Sequence, residues 1–152
     1  MLAINNIEVV YDRVILVLKG VSIDVGDGQI TTLLGANGAG KTTTLKAISG
    51  VLRSERGEVT KGTVQLRDRR IDGMRAHDVT RLGLVQVFEG RRVFENLTAE
   101  ENLIAGGYTK SQHISSGQRI SIILVNVRDA RRSATGAPSS GISTFRLLKM
   151  TR

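Results

Sequence analysis

The apolar positions along this 152-residue chain change period several times, and each change predicts an element. Leu2 to Val10 is rich in aliphatic and β-branched residues and reads as a strand. Val14 to Val25 carries apolar runs on both sides of Lys19-Gly20, which predicts a second strand or hairpin arm, and Gly26-Asp27-Gly28 is a turn. Ile30 to Leu34 has the length and composition of a buried strand. A helix is expected over Thr43 to Ser49, closed by Gly50 as a C-terminal glycine cap. Arg53 to Gly62 is polar and predicts a loop. Thr63 to Leu66 predicts a short strand, with Asp68-Arg69-Arg70 turning beyond it; Ala76 to Leu82 predicts a short helix and Leu84 to Phe88 a strand. Thr98 stands three residues before Glu101, the capping-box spacing, so a helix begins there. From Lys110 the signals weaken: Ile120 to Val127 is an apolar run of strand length, and Arg128 to Gly141, rich in Arg, Ser, Gly and Ala, reads as disordered or poorly packed.

Between the strand ending at Leu34 and the helix from Thr43 lies Gly35-Ala36-Asn37-Gly38-Ala39-Gly40-Lys41-Thr42, which satisfies every fixed position of the phosphate-loop pattern G-x-x-x-x-G-K-S/T. The order strand, glycine loop, helix is the context that motif requires. A nucleoside triphosphate carries several negative charges, and its binding site must bring many N–H donors close without side chains in the way. Gly35, Gly38 and Gly40 are expected to adopt positive φ and let the backbone approach. The N–H groups of Asn37, Gly38, Ala39 and Gly40 and the positive end of the following helix face the same place. Lys41 is expected at the β- and γ-phosphates, the Thr42 hydroxyl on Mg²⁺, and Thr43 as a further donor on the α-phosphate side.

Composition narrows the classes. The chain is one domain in size; it has no cysteine, which excludes a disulfide scaffold and a Cys metal site, and it has no apolar run near the roughly 20 residues that cross a bilayer. The first residues lack the pattern of a signal peptide, so a cytoplasmic protein is expected. The net charge of +8 is uneven: residues 1–109 hold 14 Lys/Arg against 13 Asp/Glu, whereas residues 110–152 hold 8 Lys/Arg against Asp129 alone. That asymmetry marks 110–152 as a basic tail of a different character from the rest. Arg69-Arg70 and Arg91-Arg92 read as solvated or interface pairs. His77 reads as a helix-surface residue, and His113 has no second histidine near it to make a metal site.

Residues 1 to about 109 resemble the N-terminal part of an ABC transporter ATP-binding subunit, and within that family the ATPase of branched-chain amino acid importers. The likeness is carried by Gly20-Val21-Ser22, by Leu34 to Thr43, by Gly50-Val51-Leu52, and by Glu89-Gly90-Arg91-Arg92-Val93-Phe94-Glu95-Asn96-Leu97-Thr98-Ala99-Glu100-Glu101-Asn102-Leu103. Most ABC ATPases have glutamine at the position of Glu89, whereas the branched-chain amino acid group has Glu-Gly-Arg-Arg there. The resemblance implies an α/β phosphate-loop NTPase fold: a partial ABC-type nucleotide-binding domain with a mixed sheet around the phosphate-loop helix and an N-terminal antiparallel β-subdomain. It implies ATP and Mg²⁺ as cofactors, Tyr11 stacked on the adenine ring, and Lys41 and Glu89 as catalytic positions. Glu89 would occupy the Q-loop position, touching Mg²⁺ or water and the transmembrane partner. Phe88 departs from the proline usual before it. Implied partners are transmembrane permease subunits, a second ATP-binding subunit head to tail and, indirectly, a solute-binding protein. The subunit would sit peripherally on the inner face of the cell membrane.

Hydrolysis in this family also needs an aspartate ending an apolar run, with a glutamate after it to polarise water. The last glutamate here is Glu101. Asp129 follows a run interrupted by Asn126 and Arg128, and Ala130 holds the glutamate position. Ile114-Ser115-Ser116-Gly117-Gln118-Arg119 only weakly echoes the family signature, and the switch histidine is not recognisable. The expectation is a truncated or frame-disrupted subunit in which residues 110–152 are not native to the fold or are disordered. Three functional readings stand: an importer ATPase subunit, a nucleotide-binding fragment without turnover, and a nucleic-acid binder driven by the basic tail. Phe145 is the tail's lone aromatic, so stacking on bases is poorly supported and no nucleic-acid partner is expected.

Overall fold

A hairpin opens the chain. β1 (Leu2–Tyr11) runs antiparallel to β2 (Ile15–Val25) and places Leu2, Ile4, Ile7, Val9 and Tyr11 on its core side. The computed structural model describes residues 1–88, 90 and 93–108, and the backbone of 122–126 and 142–148. The two strands join through Asp12 and Arg13, both at positive φ (50° and 61°), with the Val14 N–H donating to the Tyr11 carbonyl at 3.0 Å. These are the marks of a type I′ hairpin turn.

The other neighbour of β1 is β4 (Gly57–Leu66), also antiparallel, and β5 (Arg69–Arg70) completes the sheet in the order β2-β1-β4-β5. This corrects the loop expected over Arg53 to Gly62. Of that stretch only Arg53 to Arg56 lies outside a strand: Leu52–Glu55 form a single 3-10 turn closed by Arg56, and Gly57 onward is ladder. Opposite Gly62 the ladder is bulged: Asn5 pairs with Thr63 and Glu8 with Lys61, so Asn6 and Ile7 together face one residue of β4. At the far end Asp72 ties β4 to β5. Burial pushes its carboxyl up, but hydrogen bonds from Arg70 and from the Val64 N–H, with the Arg70 charge, bring it below the ordinary aspartate value.

The second sheet has the order β3-β8-β7-β6, built from β3 (Thr31–Ala36), β6 (Leu84–Val87), β7 (Ile122–Asn126) and β8 (Ile142–Leu148). β6 and β7 are parallel, and β8 runs antiparallel to both β7 and β3. The sheet is therefore mixed, as expected, and β3, β6 and β7 share one direction. β7 and β8 both fall within 110–152.

Helix α1 (Lys41–Ser49) lies between the sheets and touches β2, β4, β3 and β6. It begins two residues earlier than its apolar pattern suggests, at the end of the glycine loop. Lys41, Thr44, Leu45, Ala47, Ile48 and Ser49 are buried, and burial of Leu45 and Ile48 stabilises the fold by roughly 1.5–3 kcal/mol each. Gly50 (φ 75°) closes the helix. The Ser49 hydroxyl is bonded to the Gln86 side chain, pinning the end of α1 to β6. Helix α2 (Ala76–Arg81) packs on α1 and carries His77 on its surface beside Asp78, while α3 (Ala99–Gly106) buries no residue.

Candidate functional site

The site is the crossing from β3 to α1. Gly38 (φ 86°) and Gly40 (φ 83°) take the left-handed conformation that glycine adopts without strain. Gly35 does not. It stays extended at the end of β3, which corrects the expectation of positive φ there; its requirement is space, because a Cβ would stand 3.1 Å from the Ala39 Cβ and 3.8 Å from Lys41 Cδ. The Ala39 N–H turns inward to the Ala36 carbonyl at 3.1 Å, so this donor closes the loop on itself. Asn37, Gly38 and Ala39 are exposed.

Lys41 is 6% exposed, yet it is not buried without partners. Its ammonium donates to the carbonyls of Gly35 (2.7 Å) and Ala36 (2.6 Å), across the loop from its own backbone. The loop is thereby folded around the charge, which lies at its centre. The N-cap of α1 is Gly40, which offers no side chain to the first-turn N–H groups, and no acidic residue lies in that turn. The positive end of the helix is consequently uncompensated by capping side chains and opens on the loop, the arrangement that suits a phosphate. Thr44 is buried and spends its hydroxyl on the Gly40 carbonyl at 3.0 Å. Thr42 is exposed and Thr43 half-buried, both on the first turn.

Tyr11 ends β1 on the same face as Val9, which carries the core against α1. Its ring is half-buried over Gly57 of β4. β2 connects this hairpin end to the loop, because Leu18, paired with Val9, packs against Gly40. Tyr11 thus lies two residues along β1 from a point in register with the loop, about 7 Å of strand. β3 and β6 are the two edge strands of the second sheet, and their common direction puts the glycine loop and the segment after Val87 at the same, carboxyl-terminal end of it, the end where ligands of such sheets bind.

Glu89, Arg91, Arg92, His113, the segment 114–119 and Asp129 lie outside the described residues. Among the described residues no cluster of three or more His, Cys, Asp or Glu side chains could hold a metal ion. Thr42, exposed on the first turn of α1, carries a hydroxyl of the kind that suits an ion held mainly by phosphate oxygens. No helix among the described residues is long and apolar enough to cross a membrane. Leu18 and Gly57 are the site residues that sequence reasoning missed. Neither carries a signal of its own, since one is an aliphatic residue in an aliphatic run and the other a glycine in a polar stretch.

The family model described as ABC transporter matches residues 18–144. The chain is 37% identical over 108 residues to the high-affinity branched-chain amino acid transport ATP-binding protein BraG of Pseudomonas aeruginosa, covering 71% of this chain and 44% of that protein. To the high-affinity branched-chain amino acid transport ATP-binding protein LivG of Salmonella typhimurium it is 33% identical over 104 residues, covering 68% of this chain and 38% of that protein. A crystal structure of the ADP conformation of an ATP-binding cassette of an ABC transporter superposes with a TM-score of 0.51 at 31% identity, over 59% of this chain and 33% of that one. The chain spans less than half the length of each of these proteins.

Proposed function

The chain belongs to the ABC transporter family, and on that premise we propose that it binds ATP with Mg²⁺ as the energy-coupling subunit of an importer, with branched-chain amino acids as the transported class. The observation that carries the reading is the loop between β3 and α1: two left-handed glycines, an uncapped helix N-terminus, and an ammonium fixed at the loop's centre by the Gly35 and Ala36 carbonyls. The backbone N–H groups of Asn37, Gly38 and Gly40 and the first turn of α1 receive the phosphates, with Ala39 closing the loop behind them, and Lys41 sets a positive charge beside them. The Thr42 and Thr43 hydroxyls, exposed and half-exposed, are placed to add polar contacts. Thr42, with Glu89 as the second proposed donor, would hold Mg²⁺, which would supply neutralisation of the phosphate charge. Tyr11 offers an aromatic face to the base.

The transported class rests on the printed function of the relatives and on the Glu89 to Leu103 likeness. Permease subunits, a second ATP-binding subunit and a place on the inner face of the membrane follow from the same premise. So does the boundary near residue 109, supported by the charge asymmetry of the chain. Equilibrium binding of Mg-ATP, measured beside steady-state phosphate release, tests the proposal. Binding should weaken at least about tenfold in Lys41→Ala, the equivalent of about 1.4 kcal/mol. Phosphate release that follows binding supports the importer ATPase; binding without release reduces the reading to a nucleotide-binding module. Affinity indifferent to Lys41→Ala would count against both.

A further inference from the structure

We propose that Leu18 is a positioning residue for the phosphate loop, a buttress supplied by the β1–β2 hairpin that holds Gly40 in its left-handed conformation. The inference rests on the nucleotide-binding reading and deepens it.

Gly40 is the last loop residue before Lys41. Its φ of 83° turns the chain into α1, and its carbonyl is gripped from the helix side by the Thr44 N–H at 2.8 Å and the Thr44 hydroxyl at 3.0 Å. On the other side stands Leu18. A Cβ at Gly40 would collide with Leu18 Cδ2 and lie 3.7 Å from its Cγ and 3.8 Å from the Val17 carbonyl oxygen. Leu18 itself is 2% exposed and paired in the ladder with Val9, so it has little room to retreat. A free glycine samples many backbone states, and fixing it costs entropy at the moment a ligand arrives. Here Leu18 occupies the place a side chain on Gly40 would take, and packed this closely it limits the backbone states open to that glycine before a ligand arrives. The same two strands end at Tyr11 and Ile15, so the element that presents the aromatic ring also sets the loop. Base side and phosphate side are thus mechanically one unit.

Inorganic tripolyphosphate with Mg²⁺ is the probe of choice, since it engages the loop and makes no base contact. Its affinity and that of Mg-ATP are measured by titration calorimetry in the full chain, in Leu18→Val and in Leu18→Met, at a temperature where circular dichroism shows all three folded. Leu18→Val withdraws the branch that meets Gly40 and should weaken tripolyphosphate and ATP alike, by about five- to tenfold. Leu18→Met keeps the reach and should stay within about twofold of the parent. The Lys41 backbone amide resonance should shift or broaden in Leu18→Val alone. Should Leu18→Val prove unfolded, Leu18→Ile, which retains volume but moves the branch off Cγ, carries the same expectation. A folded Leu18→Val or Leu18→Ile that binds tripolyphosphate as tightly as the parent overturns the buttress while leaving nucleotide binding intact. A parent chain that binds neither probe overturns the nucleotide reading, and the buttress with it.

Discussion

The Tyr11 ring lies over Gly57 on the neighbouring strand: a Cβ on Gly57 would stand 2.9 Å from Tyr11 Cε1, 3.2 Å from Cδ1 and 3.1 Å from Leu52 Cδ2. One side of the ring is therefore seated on backbone, and its orientation depends on the missing side chain at position 57. If Tyr11 stacks on the base, Tyr11→Ala should cost about 1–2 kcal/mol of Mg-ATP binding, whereas Tyr11→Trp should retain it. Gly57→Ala should weaken binding in the same direction by tilting the ring. Calorimetric titration distinguishes this from a packing role. A Tyr11→Ala protein that melts earlier but binds Mg-ATP unchanged would make the ring a core residue only.

The turn at Asp12-Arg13 is strained by its sequence. Type I′ geometry needs positive φ at both central residues, and arginine reaches φ 61° only at a cost of roughly 1–2 kcal/mol, which the exposed Arg13 side chain does not offset by any burial in the core. Asp12 tolerates the conformation better and is held from outside, by its N–H to the Arg56 carbonyl at 3.0 Å and by the Arg56 guanidinium at 3.3 Å. Arg13→Gly should raise stability by about 0.5–1 kcal/mol, after allowing for the greater freedom of glycine in the unfolded chain. Urea unfolding followed by circular dichroism reads the shift, and a fall in stability would show that Arg13 has a role beyond the turn.

The elements legible in the sequence are those whose signals are local. The phosphate loop, the C-terminal glycine of α1 at Gly50 and the capping box at Thr98 each need only a few consecutive residues, and each is found where expected. Only the second half of β4, Thr63 to Leu66, is legible; Gly57 to Gly62 is hidden because its reasons are distant. Glu58, Lys61 and Gln65 lie on its solvent side, and Gly57 and Gly62, which look like loop residues, are required by Tyr11 and by the β1 backbone respectively. β8 follows a stretch without pattern and was not anticipated at all. Within the site, the place of Lys41 at the end of the loop follows from the motif, but its bonds to the Gly35 and Ala36 carbonyls depend on how the loop folds, and the Leu18–Gly40 contact on how two sheets pack around α1. Nothing in the order of residues announces it.

Among the described residues none of α3 is buried, and its start is held by side chains: Asn102 bonds back to the backbone of Phe94, Leu97 and Thr98, and Thr98 and Glu101 form the cap. The Thr98 hydroxyl accepts from the Glu101 N–H at 3.2 Å, and the Glu101 carboxylate accepts from the Thr98 N–H at 2.7 Å and from its hydroxyl at 2.8 Å. The backbone hydrogen bond, then the hydroxyl, hold the Glu101 carboxyl below the ordinary glutamate value. A carboxyl lowered in the folded state contributes fully above its unfolded pKa, and the contribution is lost as pH falls through the folded one. Amide protection over residues 99–102, taken relative to the unstructured chain at the same pH, should therefore be highest at neutral pH and fall below the usual glutamate range. Thr98→Ala should speed exchange there at all pH values, at a cost of about 1 kcal/mol to the helix, and move the Glu101 titration upward. Protection that is independent of both pH and the substitution would mean that α3 is held by contacts other than its cap.

Gly62 and Gly73 make a matched pair for testing the bulge that shapes the first sheet. Gly62 has φ 80°, and a Cβ there would run into the carbonyls of Asn5 and Asn6, which are backbone atoms in the ladder and cannot step aside as a side chain tip would. Asn6 is committed as well: it adopts φ 49° and donates its N–H to Ser22 Oγ at 2.9 Å, and its Oδ1 would lie 2.9 Å from a Cβ on Gly20. Relief at Gly62 would have to break pairing on both sides of β1. Gly62→Ala combines left-handed strain with a main-chain collision and should cost more than about 2 kcal/mol. Gly73, in the turn after β5, has no neighbour within 4 Å of a built Cβ and is not at positive φ. Gly73→Ala should be neutral or stabilise by up to about 1 kcal/mol, because alanine restricts the unfolded chain. Both are read from urea midpoints at constant slope. Equal effects at the two positions would contradict the bulge as described, since only Gly62 has main chain in the way.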